Sequence, residues 1–249
     1  MLYAEAAALE REVDNVMTSS KEKLVILNYN DQTVLNKEDA GTYAHAKGLI
    51  IFLVPENGRI EDGQGFFLQH SCPKLEFGKP FPQNCLKEGQ HFLCININIH
   101  GLNSLAEYLF ISKPHFTTNE IPLMFRENNR FLKNIHEKIF DNGKHHKQIN
   151  FLSRGGKYIT IFTKSVRAMD RQLWDDIIMR RTTFSIVSHY GRGKLKSTND
   201  FVVVDKLKVL RQTWKMGNEH SKYALSNLAR LCFSDVNYFA SYLILLFVK

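Results

Sequence analysis

The stretch "KGLIIFLV" (residues 47–54) decides the fold class, because it is apolar on both faces. A strand with one wet face alternates apolar and polar residues, whereas a strand covered on both sides is a nearly continuous apolar run. Residues 47–54 therefore predict a central, buried strand. The composition is consistent with this, since 44% of the residues are hydrophobic and 12% are aromatic, which is ample for a packed core.

Other strand-like runs lie on both sides of this segment. In residues 92–99, Ile95, Ile97 and Ile99 alternate with asparagines, which is the two-residue period of a strand with one wet face. The remaining runs are 23–29, 65–69, 157–165, 183–190 and 201–207.

Helix-like patterns with apolar residues at i, i+4 spacing separate the strands, at Phe131, Ile135 and Ile139 and again at Met169, Leu173 and Ile177. Glycine, proline and basic residues predict loops at 73–90 and 141–156. The order of strands, helix, strands, helix and strands indicates an α/β protein of two comparable halves. We place the division at 1–145 and 146–249.

The charge favours an anionic partner. The chain of 249 residues carries a formal net charge of +8 with histidines neutral, which ranks nucleic acid ahead of an anionic membrane. A basic protein without a polyanionic ligand is the alternative.

The cysteines and the chain ends give only weak information on the cellular compartment. Cys72, Cys85, Cys94 and Cys232 have no C-x-x-C spacing, so no structural zinc site is expected, and they allow three disulfide pairings. Charged residues interrupt the first 15 residues, so no secretory signal is visible in this chain. The apolar run near residue 249 is shorter than the roughly 18 residues of a membrane span.

The pattern His-x-Lys occurs four times, and strand geometry separates the candidates. Residues i and i+2 share one face of a strand but diverge on a helix, so only a strand lets both side chains meet one phosphate. Residues 136–138 fall in the helical stripe and 145–147 in a polar loop. The strand-compatible pairs are His45 with Lys47 and His220 with Lys222, one in each half; two unrelated surface pairs are the alternative.

Such pairs supply the chemistry for cleaving a phosphodiester without a metal. One imidazole attacks phosphorus and a second protonates the leaving oxygen, while two ammonium groups neutralise the non-bridging oxygens. One imidazole must be neutral and the other protonated, so the reaction is expected on the acid side of neutral.

Several segments in order resemble the deoxyribonuclease II family: "YAHAKGLIIFL" (43–53), "GQGFFLQHSCPKLEF" (63–77), "EGQHFLCI" (88–95) and "NEHSKYALS" (218–226). "ILNYNDQ" (26–32) and "FTKSVRAMDRQLWDD" (162–176) are also similar. The resemblance implies a phospholipase D-like pseudo-dimer, in which two α/β halves, each with a central mixed sheet flanked by helices, form one active site.

The resemblance also implies an activity: a lysosomal or secreted, metal-independent acid endonuclease that acts on DNA, needs no cofactor and leaves 3′-phosphate ends. The catalytic residues carried over are His45, Lys47, His220 and Lys222. An inactive relative that binds DNA or a host protein, or an enzyme acting on lipid phosphodiesters, is the alternative.

Further site residues and two departures follow from the same comparison. "LCFSDVNYFAS" (231–241) begins like a family segment, which makes Asp235 and Asn237 candidate substrate-binding residues, and Ser71 is a third. Structural roles are the alternative for all three. The family's Gly-rich segment and following cysteine are replaced by "YLILLFVK", and the N-terminus starts late, without the leader or the first strand that the resemblance implies. A chain shortened at both ends is therefore expected.

Overall fold

The computed structural model describes residues 23–31, 43–76, 78–165, 167–168, 184–188, 202–203, 206–209, 212–215, 222–226 and 231–234. The strands in these ranges are β1 (Leu24–Asn30), β2 (Lys47–Leu53), β3 (Gln64–His70), β4 (Phe92–Asn98), β5 (Phe116–Glu120), β6 (His146–Leu152), β7 (Tyr158–Lys164), β8 (Phe184–Ser188), β9 (Val202–Val203), β10 (Lys206–Val209), β11 (Gln212–Lys215), β12 (Lys222–Ser226) and β13 (Leu231–Ser234). The helices are α1 (Gln83–Lys87), α2 (Ile99–Ser112), α3 (Leu123–Asn128) and α4 (Arg130–His136), with a 3-10 turn at Ile60–Asp62.

A five-stranded sheet in the order β4-β3-β2-β1-β5 forms the centre of the N-terminal half. The strand β2 occupies the middle position, and all but the last of its residues are buried, which confirms the prediction from the apolar run. Gly48 allows a close approach within this sheet, because a Cβ there would lie 2.4 Å from the Tyr29 hydroxyl. The neighbouring strands are antiparallel.

The helix α2 covers this sheet and was not predicted. Its buried residues Leu102, Leu105 and Leu109 follow the helical period, so the signal was present but directly continued an alternating strand. The assignment of Ile99 to the strand was wrong, since β4 ends at Asn98. The Asn98 side chain accepts a hydrogen bond from the Gly101 N–H at 3.0 Å, and this N-cap starts the helix.

The loop predicted at 141–156 was wrong in its second part, because β6 begins at His146 and pairs with β7 as an antiparallel hairpin. Ile149, Phe151 and Ile161 of the hairpin belong to the same buried cluster as the apolar residues of α2. The turn of the hairpin lies between Leu152 and Tyr158, within the last part of the predicted loop, and Gly156 there has φ 75°. These apolar side chains explain why the hairpin of β6 and β7, although rich in basic residues, packs against α2.

The predicted helical stripe ends earlier than expected. Phe131 and Ile135 lie in α4 and pack in the core, but Ile139 lies beyond the helix and is exposed. Lys138 has a left-handed φ of 58°, so it does not continue the helix, and His136 is the last helical residue.

A second sheet has the order β13-β12-β8-β9, with β8 and β9 parallel and the other neighbours antiparallel. Sheets with flanking helices confirm the predicted α/β class. Mixed strand directions occur in this second sheet, whereas the five-stranded sheet is antiparallel throughout. The division at residue 146 stays a prediction. The predicted helix at 169–177 lies outside the described residues. None of the described helices is both long and apolar enough to cross a bilayer.

Candidate active site

Strand pairing brings a carboxylate to the first His-x-Lys pair. In the antiparallel register of β1 and β2, Asn30 is opposite Lys47. Asp31 follows directly after β1, and His45 lies two residues before β2 begins. The end of one strand and the start of the next therefore place Asp31, His45 and Lys47 at one edge of the sheet.

Asp31 binds both members of the pair, one with each carboxylate oxygen. Its Oδ2 contacts Nδ1 of His45, and its Oδ1 lies 2.5 Å from Nζ of Lys47. Nε2 of His45 lies 3.5 Å from the same Nζ. The exposed fractions are 24% for His45, 14% for Asp31 and 2% for Lys47. The imidazole is thus the most accessible of the three groups, and the ammonium lies behind it.

The electrostatics of this triad keep the carboxylate charged. Burial alone would raise the pKa of Asp31, but the positive charges of Lys47 and His45 and their hydrogen bonds hold that pKa well below its usual range. The carboxylate therefore stays ionised in acid. Because it faces Nδ1, the neutral His45 ring carries its hydrogen there, and its Nε2 lone pair faces the Lys47 ammonium at 3.5 Å.

A second histidine, His70, closes the site from the next strand. It ends β3 beside Lys47 and is 1% exposed. Burial is the main cause that lowers the pKa of His70 to about 3, and the charge of Lys47 adds to it. Its ring stacks on Phe92, its partner in the β3–β4 register, at 5.8 Å. His70 is therefore a neutral imidazole even in acid.

This neutral histidine is expected to make the fold acid-sensitive. The folded-state pKa of His70 is depressed, so its stabilising effect is complete above the unfolded pKa near 6.5 and is lost as the pH falls below that value. Between about pH 7 and pH 5 the loss is roughly 2 kcal/mol. Thermal melts of wild type and His70→Gln across this range measure it. The Tm of the wild type should fall more than that of the variant as the pH is lowered. Equal decreases in Tm would contradict the burial of a neutral imidazole.

The candidate Ser71 has its hydroxyl engaged by neighbours. It donates a hydrogen bond to Oε1 of Gln90 at 2.7 Å and accepts one from the His91 N–H at 3.0 Å. Nε2 of His91 lies 3.0 Å from Oε1 of Gln69, which pairs with Gly48 of β2. These bonds fix the loop after β3 against the strand that carries Lys47. A substrate-binding role for Ser71 stays a prediction.

One contact joins the second sheet to this edge of the first. The ring of Phe233 in β13 lies 5.3 Å from the ring of His91. The next residue, Ser234, is opposite Lys222 in the register of β12 and β13. The start of β12 is thereby near the end of the sheet that holds the His45 pair. His220, Asp235 and Asn237 lie outside the described residues, as does the side chain of Lys222.

The discarded pair at 145–147 has a different setting from the one predicted. Lys147 lies in β6, not in a loop, and its Nζ is 2.5 Å from Oε1 of Glu107 on α2. Nδ1 of His145 is 2.5 Å from Oδ2 of Asp141, and its side chain is 64% exposed. The two groups thus bind separate carboxylates and do not converge. In the described ranges, no group of three or more His, Cys, Asp or Glu side chains is placed to hold a metal ion.

A family model for deoxyribonuclease II matches residues 2–241. The chain belongs to the deoxyribonuclease II family. The resemblance drawn from the His-x-Lys segments is therefore confirmed, and the Asp31, His45 and Lys47 cluster lies inside the deoxyribonuclease II match.

Three named relatives accompany this match. Cell-death-related nuclease 7 of Caenorhabditis elegans is 26% identical over 252 residues, which covers 92% of this chain and 64% of the relative. Deoxyribonuclease-2-beta of Rattus norvegicus is 30% identical over 112 residues, 43% of this chain and 29% of the relative. Plancitoxin-1 of Acanthaster planci is 27% identical over 169 residues, 64% and 44% respectively. The chain thus spans less than two thirds of the length of each of these three relatives.

Proposed function

We propose that this chain is a metal-independent acid endonuclease that hydrolyses DNA phosphodiesters to 3′-phosphate ends. His45 and Lys47 act with His220 and Lys222 on one phosphate. The observation that supports this best is the single carboxylate, Asp31, which orients the imidazole and the ammonium of the first pair together. Membership in a family whose relatives are named as nucleases supports the reaction class.

The reaction divides the work between the two pairs. One of His45 and His220 attacks phosphorus through a ring nitrogen, and the bond from phosphorus to the 5′ oxygen breaks. The other imidazole gives its proton to that oxygen, and water then hydrolyses the phosphohistidine to release the 3′-phosphate. Lys47 and Lys222 stabilise the charge on the non-bridging oxygens. For the first pair, Asp31 supports this division because it holds Nδ1 of His45, so that Nε2 is directed to the same place as the Lys47 ammonium, where the phosphate binds.

The contact between the two sheets supports the meeting of the pairs. Phe233 packs on His91, and Ser234 and Lys222 are opposite each other in the adjacent strands. The net charge of +8 favours approach of a polyanion.

We also propose an acidic, oxidising location, lysosomal or secreted. Cys72 and Cys85 form a disulfide, and disulfides persist in such compartments rather than in the cytosol. The remaining described thiol, Cys94, is free and exposed.

Nicking of supercoiled plasmid at about pH 5 with EDTA present tests the proposed function. We expect cleavage that EDTA leaves unchanged, with ends that a DNA polymerase cannot extend until a phosphatase removes the 3′-phosphate. A requirement for added Mg²⁺ would refute the metal-independent mechanism. Salt-sensitive DNA binding without cleavage by folded protein would instead support the inactive, DNA-binding alternative.

A further inference from the structure

Two exposed aromatic rings lie beside the candidate active site. Phe81 is 42% exposed and Phe92 is 45% exposed, although phenylalanine is usually buried in a soluble protein. Their ring centroids are 6.1 Å apart, with an angle of 52° between the planes. We call this pair of rings the aromatic platform.

The platform is continuous with the groups that would hold the phosphate. Phe92 stacks on His70 at 5.8 Å with an interplanar angle of 22°. His70 ends β3, and in the register of β2 and β3 its neighbour Gln69 is opposite Gly48, which follows Lys47. A path of rings therefore leads from the cationic cluster through His70 and Phe92 to Phe81 at the surface.

The loop that carries Phe81 is held in place at both ends. The disulfide between Cys72 and Cys85 closes it, and the short helix α1 follows Phe81. The buried Asn30 side chain donates to the carbonyl oxygens of Cys72 at 3.3 Å and Leu75 at 3.1 Å. Because Asn30 immediately precedes Asp31, one strand end fixes both the loop and the carboxylate that orients His45 and Lys47.

We propose that the aromatic platform is a subsite that stacks a nucleobase of the DNA strand whose phosphate is bound at His45 and Lys47. Aromatic side chains next to a backbone-binding cationic site are the usual means of holding unpaired bases, and stacking on them tolerates every base. The proposal rests on the proposed function, since the occupant follows from the adjacent phosphate site. A phospholipid also offers a phosphodiester to that cationic cluster, so binding of anionic lipid vesicles is measured as the competing outcome.

A consequence is that the platform contributes to the binding of single-stranded or locally unstacked DNA. A base within a duplex is covered on both faces by its neighbours, so it must leave the stack before a side chain can cover it. That step costs free energy in a duplex but little in a single strand. Loss of the platform should therefore raise KM more for single strands than for duplexes.

The test compares three variants that differ in their aromatic surface. Phe81→Ala removes one ring, Phe81→Trp keeps a larger one, and Leu86→Ala is the matched control. Leu86 is 47% exposed on the same disulfide-closed segment but offers no π face. Each variant is measured for kcat and KM on a single-stranded oligonucleotide and on a duplex of the same sequence. Affinity for the single strand is measured separately, in a His45→Asn background that cannot cleave it.

We expect Phe81→Ala to weaken single-strand binding and raise KM by about tenfold, with kcat nearly unchanged. Phe81→Trp should retain or improve both, and Leu86→Ala should resemble wild type. Far-UV circular dichroism and thermal melts establish that each variant is folded. Phe92→Leu, which keeps apolar bulk without the ring, should repeat the effect of Phe81→Ala on affinity.

Two further outcomes separate this inference from the proposed function. Normal cleavage with unchanged affinity and KM in Phe81→Ala would overturn the stacking subsite and leave the nuclease intact. Wild-type protein that binds but never cleaves, with affinity lost in Phe81→Ala alone, would refute the nuclease and support the subsite. An equal loss of single-strand affinity in Phe81→Ala and Leu86→Ala would also overturn the subsite. So would a Phe81→Ala variant that loses affinity only for anionic lipid vesicles and not for DNA.

Discussion

Replacing His45 with asparagine is expected to lower the rate of DNA cleavage by about 10³-fold or more, because a nucleophile or proton donor is lost. The side chain is 24% exposed, so the change should affect the fold little. Asparagine retains a polar group beside Asp31 without a nucleophilic or protonatable ring nitrogen. Initial rates of plasmid nicking at acid pH, compared at equal protein concentrations, measure the effect.

The chain supplies a matched control for this prediction. His145 also has its Nδ1 against a carboxylate, that of Asp141, and also belongs to a His-x-Lys pattern. Its lysine partner binds Glu107 instead, so the two groups do not share one anion. His145→Asn should therefore cleave DNA at the wild-type rate. Comparable losses in the two variants would show that the sequence pattern, and not the geometry around Asp31, had been mistaken for a site.

The parts of the fold that depend on local patterns were predictable from the sequence. The buried strand β2 and the alternating Ile95 and Ile97 of β4 need only their own residues to be recognised. The end of β4 was not predictable from its own residues. Asn98 caps a helix whose apolar residues begin with Ile99 and Leu102, and the alternation of apolar residues continues across this boundary from strand to helix. The strand β6 was missed for a related reason, since its basic side chains conceal two buried positions.

The pairing of His45 with Lys47 was predictable from the sequence, but the strand geometry predicted for it was wrong. Only Lys47 lies in β2, whereas His45 lies at the bend before it, where the Ala46 N–H donates to the Ala44 carbonyl oxygen at 2.9 Å. Asp31 and His70 reach them through the register of β1 and β3 with β2, which a single segment does not reveal. A signal for Asp31 and His70 was available, since each is a polar residue at the end of an apolar strand. If the three strands had been assumed to form an antiparallel meander, Asp31 and His70 would have been placed beside Lys47.

Asp31→Asn is expected to lower both stability and activity. Lys47 is 2% exposed, and its ammonium lies 2.5 Å from the Asp31 carboxylate. Replacing that carboxylate removes the negative charge that compensates a buried ammonium, which costs about 3–5 kcal/mol in comparable buried pairs. Chemical denaturation at neutral pH measures this loss. As a control, Glu76→Gln breaks the pair of Glu76 with the exposed Lys79, where less than about 1 kcal/mol is expected.

The pH dependence and a second substitution separate the structural role of Asp31 from its role in catalysis. The folded-state pKa of Asp31 is depressed, so its stabilising effect is present above the unfolded pKa of about 3.9 and is lost as the pH falls below it. The stability difference between wild type and Asp31→Asn should therefore narrow only in that acid range.

Adding Lys47→Met to Asp31→Asn removes the buried charge and should restore most of the stability at neutral pH. Cleavage should not return, because the double variant lacks both the phosphate-binding ammonium and the carboxylate that orients His45. Recovery of activity together with stability would mean that the pair only supports the fold, and the catalytic assignment of Lys47 would be wrong.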